Sequence, residues 1–190
     1  RVRAILFCHF IVETMTQSFA ALILAAGKGT RMRSDLPKVL HQIAHRPMID
    51  HVLAAVETLR PERRIVVLAP GMEAVAKAVA PAEAAVQAEA RGTGDAAAAA
   101  RRLLDGFAGD VLVLYGDVPL VTPETMARLL AERRRAPEAA VAVLGMRVAE
   151  PGAYGRLVTA ADGSLQAITE ALDCTPEERA ITLCNSGLMA

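Results

Sequence analysis

The sequence predicts an α/β protein in which helices cover a buried, mostly parallel sheet. Short apolar runs alternate with amphipathic segments along most of the chain, as in repeated βαβ units. Hydrophobic residues make up 53% of the 190 residues and aromatic residues only 3%, so the core must be aliphatic. A chain of this length can bury a substantial core as one domain.

The composition excludes two broad classes of protein. Lys and Arg number 21 and Asp and Glu also number 21, so the chain lacks the strongly basic character of many nucleic-acid-binding proteins. So apolar a chain at zero net charge is not expected to be disordered. The 3 cysteines show no paired spacing, which argues against a disulfide or zinc scaffold and favours a reducing, cytoplasmic location.

The first residues are expected to lie outside the fold. Arg1 to Val12 has a basic start and a short apolar run that superficially resembles a signal peptide, but no small-residue cleavage site closes it. The run is also too short to span a bilayer, so no membrane partner is expected. Met15 is a natural start, and we interpret residues 1–14 as an extension and residues 15–190 as the domain.

Each element of the first two thirds follows from a local pattern. Strands are predicted where continuous apolar runs end at or near Gly, Pro or charged residues: Ala20 to Ala25, Ile65 to Leu68, Ala84 to Ala88, and Val111 to Tyr115. Helices are predicted where apolar residues recur at helical spacing or where Ala-rich segments follow a turn: from Pro47 through Leu59, Met72 to Val79, Ala96 to Leu104, and from Thr122 through Leu130.

In the last third of the chain, the strand–helix alternation gives way to a hairpin pattern. Ala139 to Met146 is predicted as another buried strand. Arg156 to Thr159 and Leu165 to Thr169 flank Asp162-Gly163, which is a hairpin signal and not a crossover. A short helix is expected to begin at Thr175 to Glu178, and a strand to follow within Ile181 to Met189.

Four loops that follow strands are the expected ligand-binding segments. Right-handed crossovers place the loops after parallel strands at one edge of a sheet, where ligands bind. These loops are rich in Gly and charged residues: Ala26 to Lys38, Glu89 to Gly94, Gly116 to Pro119, and Tyr154 to Arg156.

The first loop suggests a phosphate site. Leu24 to Met32 leaves its strand through Ala and Gly, which allow backbone N–H groups to approach phosphates. It matches neither the Walker A pattern nor the dinucleotide fingerprint. Between Gly27 and Arg46 only Asp35 opposes the basic residues, which are Lys28, Arg31, Arg33, Lys38 and Arg46. A polyanionic ligand is one explanation, and an ordinary glycine-rich strand-to-helix turn is the other.

Asp117 is the candidate metal ligand. It lies just beyond the predicted strand that ends at Tyr115. Mg²⁺ commonly takes one or two carboxylates together with phosphate oxygens, so a metal that bridges a nucleotide would suit this position. A capping or turn role for an Asp close to Pro119 is the alternative. His41 and His45 have the spacing of a metal pair, but the Glu expected after the first His is missing, so a surface role is favoured.

Six motifs occur in an order that resembles a known family. They are L-A-A-G-K-G-T-R-M from Leu24, S-D-L-P-K from Ser34, Q-A-E from Gln87, G-T-G from Gly92, Y-G-D-V-P-L from Tyr115, and Y-G-R from Tyr154. From about Phe19 to Ala190 the chain resembles the N-terminal uridylyltransferase domain of the bacterial bifunctional N-acetylglucosamine-1-phosphate uridylyltransferase/glucosamine-1-phosphate acetyltransferase. The resemblance implies a three-layer α/β/α Rossmann-like nucleotidyltransferase fold.

The resemblance also implies a reaction. UTP and N-acetylglucosamine 1-phosphate would give UDP-N-acetylglucosamine, a precursor of peptidoglycan and lipopolysaccharide, and pyrophosphate, with Mg²⁺ as cofactor. The sugar phosphate is itself the nucleophile, so catalysis requires positioning and charge neutralisation and no covalent enzyme intermediate.

Site residues follow from the same resemblance. Catalytic roles fall to Arg31, Lys38 and Asp117, with Asp117 as the metal ligand; Lys28 could equally face solvent. The implied contacts to the nucleotide or the base are Leu24, Ala25, Ala26, Gly27, Lys38, Gln87, Gly92, Thr93, Tyr115, Gly116 and Asp117. The implied contacts to the amino sugar are Gly155, Glu170 and Asn185.

The sequence departs from the family pattern at three places. Leu172 stands where the family usually has Lys, and Asn185-Ser186-Gly187 replaces the usual N-T-G. The family's second magnesium ligand is an Asn farther downstream than Ala190. We therefore expect an incomplete domain at the C-terminus. The hexapeptide repeats that trimerise the full-length family members are missing here, so a homotrimer is expected only for the full-length enzyme.

Two other functions remain open at this point. One is a different sugar-phosphate or molybdopterin nucleotidyltransferase, because the first motif is widely shared. The other is a non-catalytic module that binds nucleotide sugars, for which Leu172 and the missing second ligand argue.

Overall fold

A computed structural model describes residues 18–27, 29, 32–135 and 138–190. Its main feature is an eight-stranded sheet, in which the strand order is β5-β4-β1-β6-β10-β8-β9 and β7 pairs with β10. The bounds of the strands are β1 Phe19–Leu24, β2 Gln42–Ile43, β3 Arg46–Pro47, β4 Arg63–Leu68, β5 Glu83–Val86, β6 Asp110–Tyr115, β7 Val143–Arg147, β8 Arg156–Thr159, β9 Leu165–Thr169 and β10 Leu183–Met189.

The first half of the sheet is parallel. β1 pairs with β4 and with β6, and β4 pairs with β5, all in parallel register. All six residues of β1 are buried, as expected for a strand covered on both faces. The prediction of a buried, mostly parallel sheet is confirmed for this half.

Helices cover both faces of the parallel strands. Their bounds are α1 Met48–Glu57, α2 Glu73–Ala78, α3 Thr93–Ala99, α4 Pro123–Arg135 and α5 Pro176–Arg179. Side chains alternate along a strand, and β1 accordingly contributes Ala21 and Ile23 to one core cluster and Leu22 and Leu24 to another. Apolar residues of α1 and α4 join the first cluster, whereas Ala96 of α3 joins the second. Three α/β/α layers result, as predicted.

The second half of the sheet is antiparallel. β10 pairs antiparallel with β6, β7 and β8, and β8 and β9 form the predicted hairpin. The prediction of a buried strand over Ala139 to Met146 was wrong in part. The strand β7 covers only Val143–Arg147, and none of its residues is fully buried. Val141, just before β7, is 46% exposed, whereas Ala142 and Leu144 are partly buried against the core, so the segment is only half covered.

Two further differences concern segments near the ligand-binding edge. α3 begins at Thr93, so Thr93 and Gly94 belong to the helix and the predicted loop is shorter; the predicted helix ends as a separate 3₁₀ turn at Arg101–Leu104. The small hairpin of β2 and β3 was not predicted. Its turn residues Ala44 and His45 both have positive φ, +50° and +63°, although neither residue type signals such a turn.

Two remaining expectations concern cysteines and membranes. Cys174 and Cys184 are buried, free thiols, in agreement with the prediction that they form no disulfide. Cys8 and the predicted extension at residues 1–14 lie outside the described residues. Within the part of the chain that the structure describes, no helix combines the length and apolar character needed to cross a bilayer.

Candidate active site

A cavity of about 660 Å³ opens at the edge of the sheet where the parallel strands end. Three of the four predicted loops meet there: the loops after β1 and β5 and the loop after β6. The walls include ten of the predicted site residues, which are Leu24, Ala25, Ala26, Gly27, Lys38, Gln87, Gly92, Thr93, Tyr115 and Asp117. The position is the usual ligand site of an open α/β sheet.

The loop after β1 brings backbone and a lysine side chain close together. Ala25 is 3% exposed, and its N–H donates to the carbonyl of Val67 at 2.8 Å, which anchors the start of the loop on β4. Gly29 has φ +59°, and a Cβ at this position would lie 2.7 Å from Cβ of Lys38. Glycine therefore allows the segment that carries Lys38 to cross directly over the loop. Lys28, Thr30 and Arg31 lie outside the described residues, so the predicted roles of Lys28 and Arg31 stay predictions.

Lys38 and Asp117 form an ion pair inside the cavity. Nζ of Lys38 donates to Oδ2 of Asp117, and the two side chains are 37% and 30% exposed. Gly116, just before Asp117, donates its N–H to the carbonyl of Leu24 at 2.9 Å, and a Cβ there would lie 3.2 Å from Cγ1 of Val39. The tight packing at Gly116 fixes the turn that presents Asp117. A cation suited to phosphate and a carboxylate suited to a metal thus share one wall.

Gln87 is buried at the opposite wall. Gln87 is 7% exposed, and its backbone N–H donates to the carbonyl of Leu68 at 2.8 Å. The amide nitrogen Nε2 donates to Oδ2 of Asp95 at 2.9 Å and to the carbonyl of Gly92 at 3.3 Å. These two bonds pair the amide nitrogen, and a buried amide oxygen also needs a partner. A base bound in the cavity would supply that partner, which fits the predicted role of Gln87 in base recognition.

Thr93 and Tyr115 close the cavity between these two walls. Oγ1 of Thr93 lies 3.3 Å from the phenolic oxygen of Tyr115, which links the start of α3 to the end of β6. Gly92, which precedes Thr93, has φ +109°, a backbone conformation that residues with a side chain rarely adopt. The G-T-G motif is therefore a structural requirement for the entry into α3 as well as a candidate binding segment.

The three predicted sugar residues form a separate group next to the cavity. The backbone N–H of Asn185 donates to the carbonyl of Gly155 at 2.8 Å, and a Cβ at Gly155 would lie 3.4 Å from Oε1 of Glu170. None of the three lines the cavity itself. The link is Gly187, whose N–H donates to Oδ1 of Asn185 at 2.9 Å and whose Cα lies against the ring of Tyr115.

Two side chains near the predicted sugar contacts Gly155, Glu170 and Asn185 have distinct environments. Leu172 is 94% exposed, so the position that departs from the family pattern places an apolar side chain in solvent. Arg156 is 4% exposed, and its guanidinium donates to the carbonyls of Gly152 and Tyr154. These bonds hold the loop before Gly155 in place, a role that the Y-G-R motif alone did not reveal.

Metal-binding groups are sparse in the described ranges. No group of three His, Cys, Asp or Glu residues that could hold a metal occurs among residues 18–27, 29, 32–135 and 138–190. Among the described residues that line the cavity, Asp117 is the one acid. A single carboxylate fits a cation whose remaining ligands are phosphate oxygens and water, and does not fit a cage built by the protein alone. His41 lies with Nε2 3.2 Å from the carbonyl of Leu36 and His45 sits in the hairpin turn, in agreement with surface roles.

Sequence reasoning missed several residues of the site. Val39 and Ala96 line the cavity, and Asp95 binds Gln87 from the first turn of α3. Val39 and Ala96 could have been found from their apolar spacing relative to the motifs, whereas the contact of Asp95 depends on where α3 begins.

Comparison with known proteins agrees with this geometry. The model of the MobA-like NTP transferase domain matches residues 21–182. The chain belongs to the MobA-like NTP transferase family. The matched range of this MobA-like domain contains β4, β5, β6 and most of β1, together with every described residue that lines the cavity.

Within this family, the chain is similar to curated proteins of one kind. The MobA-like domain is 56% identical over 171 residues to the bifunctional protein GlmU of Rhodospirillum rubrum, covering 90% of this chain and 38% of that protein. It is 53% identical over 175 residues to the bifunctional protein GlmU of Paramagnetospirillum magneticum, covering 92% of this chain and 39% of that protein. The chain thus spans less than half the length of the curated relatives it matches.

A solved structure supports the fold. A CMP:2-keto-3-deoxy-manno-octonic acid synthetase complexed with CTP superposes with a TM-score of 0.64 over 90% of this chain and 73% of that chain. The sequence identity is 21%, so the comparison concerns the fold of the MobA-like domain alone.

Proposed function

We propose that this chain carries the uridylyltransferase site that makes UDP-N-acetylglucosamine and pyrophosphate from UTP and N-acetylglucosamine 1-phosphate. The observation that carries the proposal is the placement of the Lys38–Asp117 pair and the buried amide of Gln87 on the walls of one cavity. Similarity to two GlmU proteins above 50% identity supports the choice of substrates. The working location would be the cytoplasm, where these precursors are used.

The nucleotide would lie between the two walls. The backbone of Leu24 to Gly27 and the segment at Gly92 and Thr93 would contact the nucleoside, with Gln87 against the base. Lys38 would move from Asp117 to the phosphates, since a phosphate chain carries more charge than one carboxylate. Arg31 is proposed to share this role from the same loop.

The chemical step is an in-line displacement at the α-phosphorus of UTP. An oxygen of the sugar phosphate attacks, the bond from the α-phosphorus to the bridging oxygen breaks, and pyrophosphate leaves with both electrons. The nucleophile is already an anion, so the protein need not remove a proton from it. Catalysis then consists of holding the reactants in line and neutralising the charge of the departing pyrophosphate, which Lys38 and Arg31 would do.

Asp117 would hold Mg²⁺ together with phosphate oxygens. When bound, the metal supplies charge to the phosphates and fixes their geometry. Freed from Lys38, the carboxylate of Asp117 presents an oxygen toward the same cavity that would take the triphosphate.

The amino sugar is proposed to bind at Gly155, Glu170 and Asn185. Their mutual contacts form a continuous polar group on the far side of Tyr115 from Gln87. The carboxylate of Glu170 suits sugar hydroxyls, and the amide of Asn185 suits an acetamido group.

The test measures pyrophosphate release by the purified chain with Mg²⁺. UTP and CTP are each paired with N-acetylglucosamine 1-phosphate and with glucose 1-phosphate. We expect release with UTP and N-acetylglucosamine 1-phosphate at least tenfold faster than with the other pairs. A preference for CTP would contradict the proposed substrate, and tight binding of UDP-N-acetylglucosamine with no pyrophosphate release would indicate a binding module.

A further inference from the structure

We infer that Asp95 is a positioning residue that sets the choice of pyrimidine by fixing which end of the Gln87 amide faces the base. This inference rests on the proposed function and deepens it. Asp95 lies in the first turn of α3 and does not line the main cavity. It acts through Gln87, whose amide nitrogen it binds at 2.9 Å.

Gln87 stands between two openings of the surface. It lines the main cavity and also a second recess of about 310 Å³, which Asp95 lines together with Glu89 and Arg91. Asp95 therefore contacts the amide from the side of the second recess. Because the nitrogen of Gln87 is held by Asp95 and by the carbonyl of Gly92, the oxygen is the amide atom that would meet a ligand in the main cavity.

The two partners of the amide nitrogen leave it one orientation. A carboxylate only accepts hydrogen bonds, and so does the backbone carbonyl of Gly92, which Nε2 also meets at 3.3 Å. Rotation of the amide by 180° would set its oxygen against two acceptors. Because Gln87 is 7% exposed, water is poorly placed to relieve that repulsion.

The fixed oxygen complements uracil and opposes cytosine at the same atom. Position 3 of uracil is an N–H donor, whereas position 3 of cytosine is an unprotonated nitrogen that only accepts. An acceptor held at this position pairs with uracil and repels cytosine. A site built around one such polar match discriminates strongly, because the wrong base leaves a buried group unpaired.

The experiment compares the binding of UTP and CTP by calorimetry. In Asp95→Ala the amide of Gln87 can rotate, so the preference for UTP should fall about tenfold, which corresponds to one hydrogen bond. Asp105→Ala removes the same charge from an exposed aspartate a few turns away and should keep the preference within about twofold. If Asp95→Ala does not fold, Asp95→Asn keeps the size of the side chain and should reduce the preference in the same direction.

A second measurement does not depend on nucleotide. In a proton–nitrogen correlation spectrum of the free protein, the side-chain NH₂ signals of Gln87 should shift and exchange faster in Asp95→Ala than in the parent or in Asp105→Ala. A merely structural role would lower stability without changing the ratio of the two affinities.

The outcomes separate the inference from the proposed function. A parent protein that binds UTP and CTP equally, or binds neither, would overturn the proposed function and the inference with it. A parent protein that prefers UTP, combined with an Asp95→Ala variant that keeps this preference and the Gln87 signals unchanged, would overturn the inference alone.

Discussion

At Gly187 the backbone passes so close to the ring of Tyr115 that no side chain fits. An added Cβ would lie 1.8 Å from Cε2 of Tyr115, and Gly187 has φ +85°. The Tyr115 ring in turn lines the cavity and reaches Thr93. Because Gly187 has no side chain, β10, which also carries Asn185, can pack directly against Tyr115 at the end of β6.

Gly187→Ala should therefore destabilise the protein for two reasons. The left-handed backbone costs about 1 kcal/mol for Ala, and the overlap with Tyr115 adds about 2 kcal/mol. Gly163→Ala is the matched control, because Gly163 has the same φ of +85° with nothing within 4 Å of an added Cβ. Urea denaturation should show about 3 kcal/mol lost at Gly187 and about 1 kcal/mol at Gly163. Equal losses would show that the ring of Tyr115 moves aside freely.

Asp117→Asn tests the metal ligand with almost no change in shape. The amide is neutral, so it binds a divalent cation weakly and leaves the charge of Lys38 without a partner in the free protein. Pyrophosphate release should fall at least about a hundredfold, and added Mg²⁺ should restore little of it. Asp173→Asn, at an exposed position outside the cavity, should retain the parent rate; a near-normal rate for Asp117→Asn would remove Asp117 from the mechanism.

At the scale of elements, sequence patterns predicted best those strands and helices whose formation depends on local residues. The continuous apolar run of β1 identified a strand buried on both faces, and Thr175 correctly marked the start of α5. The segment at Ala139 to Met146 is equally apolar, but its burial depends on whether another layer covers it, which the local sequence does not encode. The turn at Ala44 and His45 was missed because Ala-His is not among the dipeptides that signal a hairpin turn.

α5 illustrates an element that its cap stabilises. Thr175 Oγ1 accepts from the N–H of Glu178 at 3.2 Å, and Glu178 Oε2 accepts from the N–H of Thr175 at 2.9 Å. Thr175→Ala should cost about 1 kcal/mol in the free energy of unfolding near neutral pH. Thr58→Ala removes a hydroxyl that donates to the carbonyl of Ala55 and should cost less than about 0.5 kcal/mol. An equal effect of the two changes would mean that the capping box adds nothing.

The same cap also gives this element a dependence on acid. The backbone N–H of Glu177, and to a smaller extent the hydroxyl of Thr175, lower the pKa of the Glu177 carboxyl. A lowered pKa in the folded state contributes stability that is present above the unfolded value near 4.5 and is lost as the pH falls through the folded value. The difference between the parent and Thr175→Ala should therefore shrink below about pH 4 in denaturation curves, and a constant difference would contradict this contribution.

At the scale of the whole molecule, the order of strands determines where the site lies. The C-terminal ends of β1, β5 and β6 meet at one edge, which was predictable because right-handed crossovers leave no other arrangement. The contact between the two halves was not predictable, because it depends on how β10 returns antiparallel against β6. Gly155, Glu170 and Asn185, the proposed sugar contacts, are consequently adjacent to the cavity and not part of its wall.

Nucleotide binding should stabilise the whole domain, since the cavity joins three loops that follow separate strands. At a UTP concentration one hundred times the dissociation constant, the expected gain is about 2.7 kcal/mol, or roughly 5–10 °C in Tm for a domain of this size. Thermal unfolding with UTP and Mg²⁺, compared with GTP and Mg²⁺, measures this gain. A larger shift with GTP would contradict a pyrimidine site.

The position of Tyr115 also gives the protein a built-in optical probe. The chain contains no Trp and only 2 Tyr, of which Tyr115 lines the cavity and Tyr154, 52% exposed, lies next to Gly155. Tyrosine emission therefore originates at the two halves of the proposed site. Tyr154→Phe would leave Tyr115 as the single emitting side chain, beside which a bound pyrimidine would quench, so nucleotide occupancy could be followed without any label.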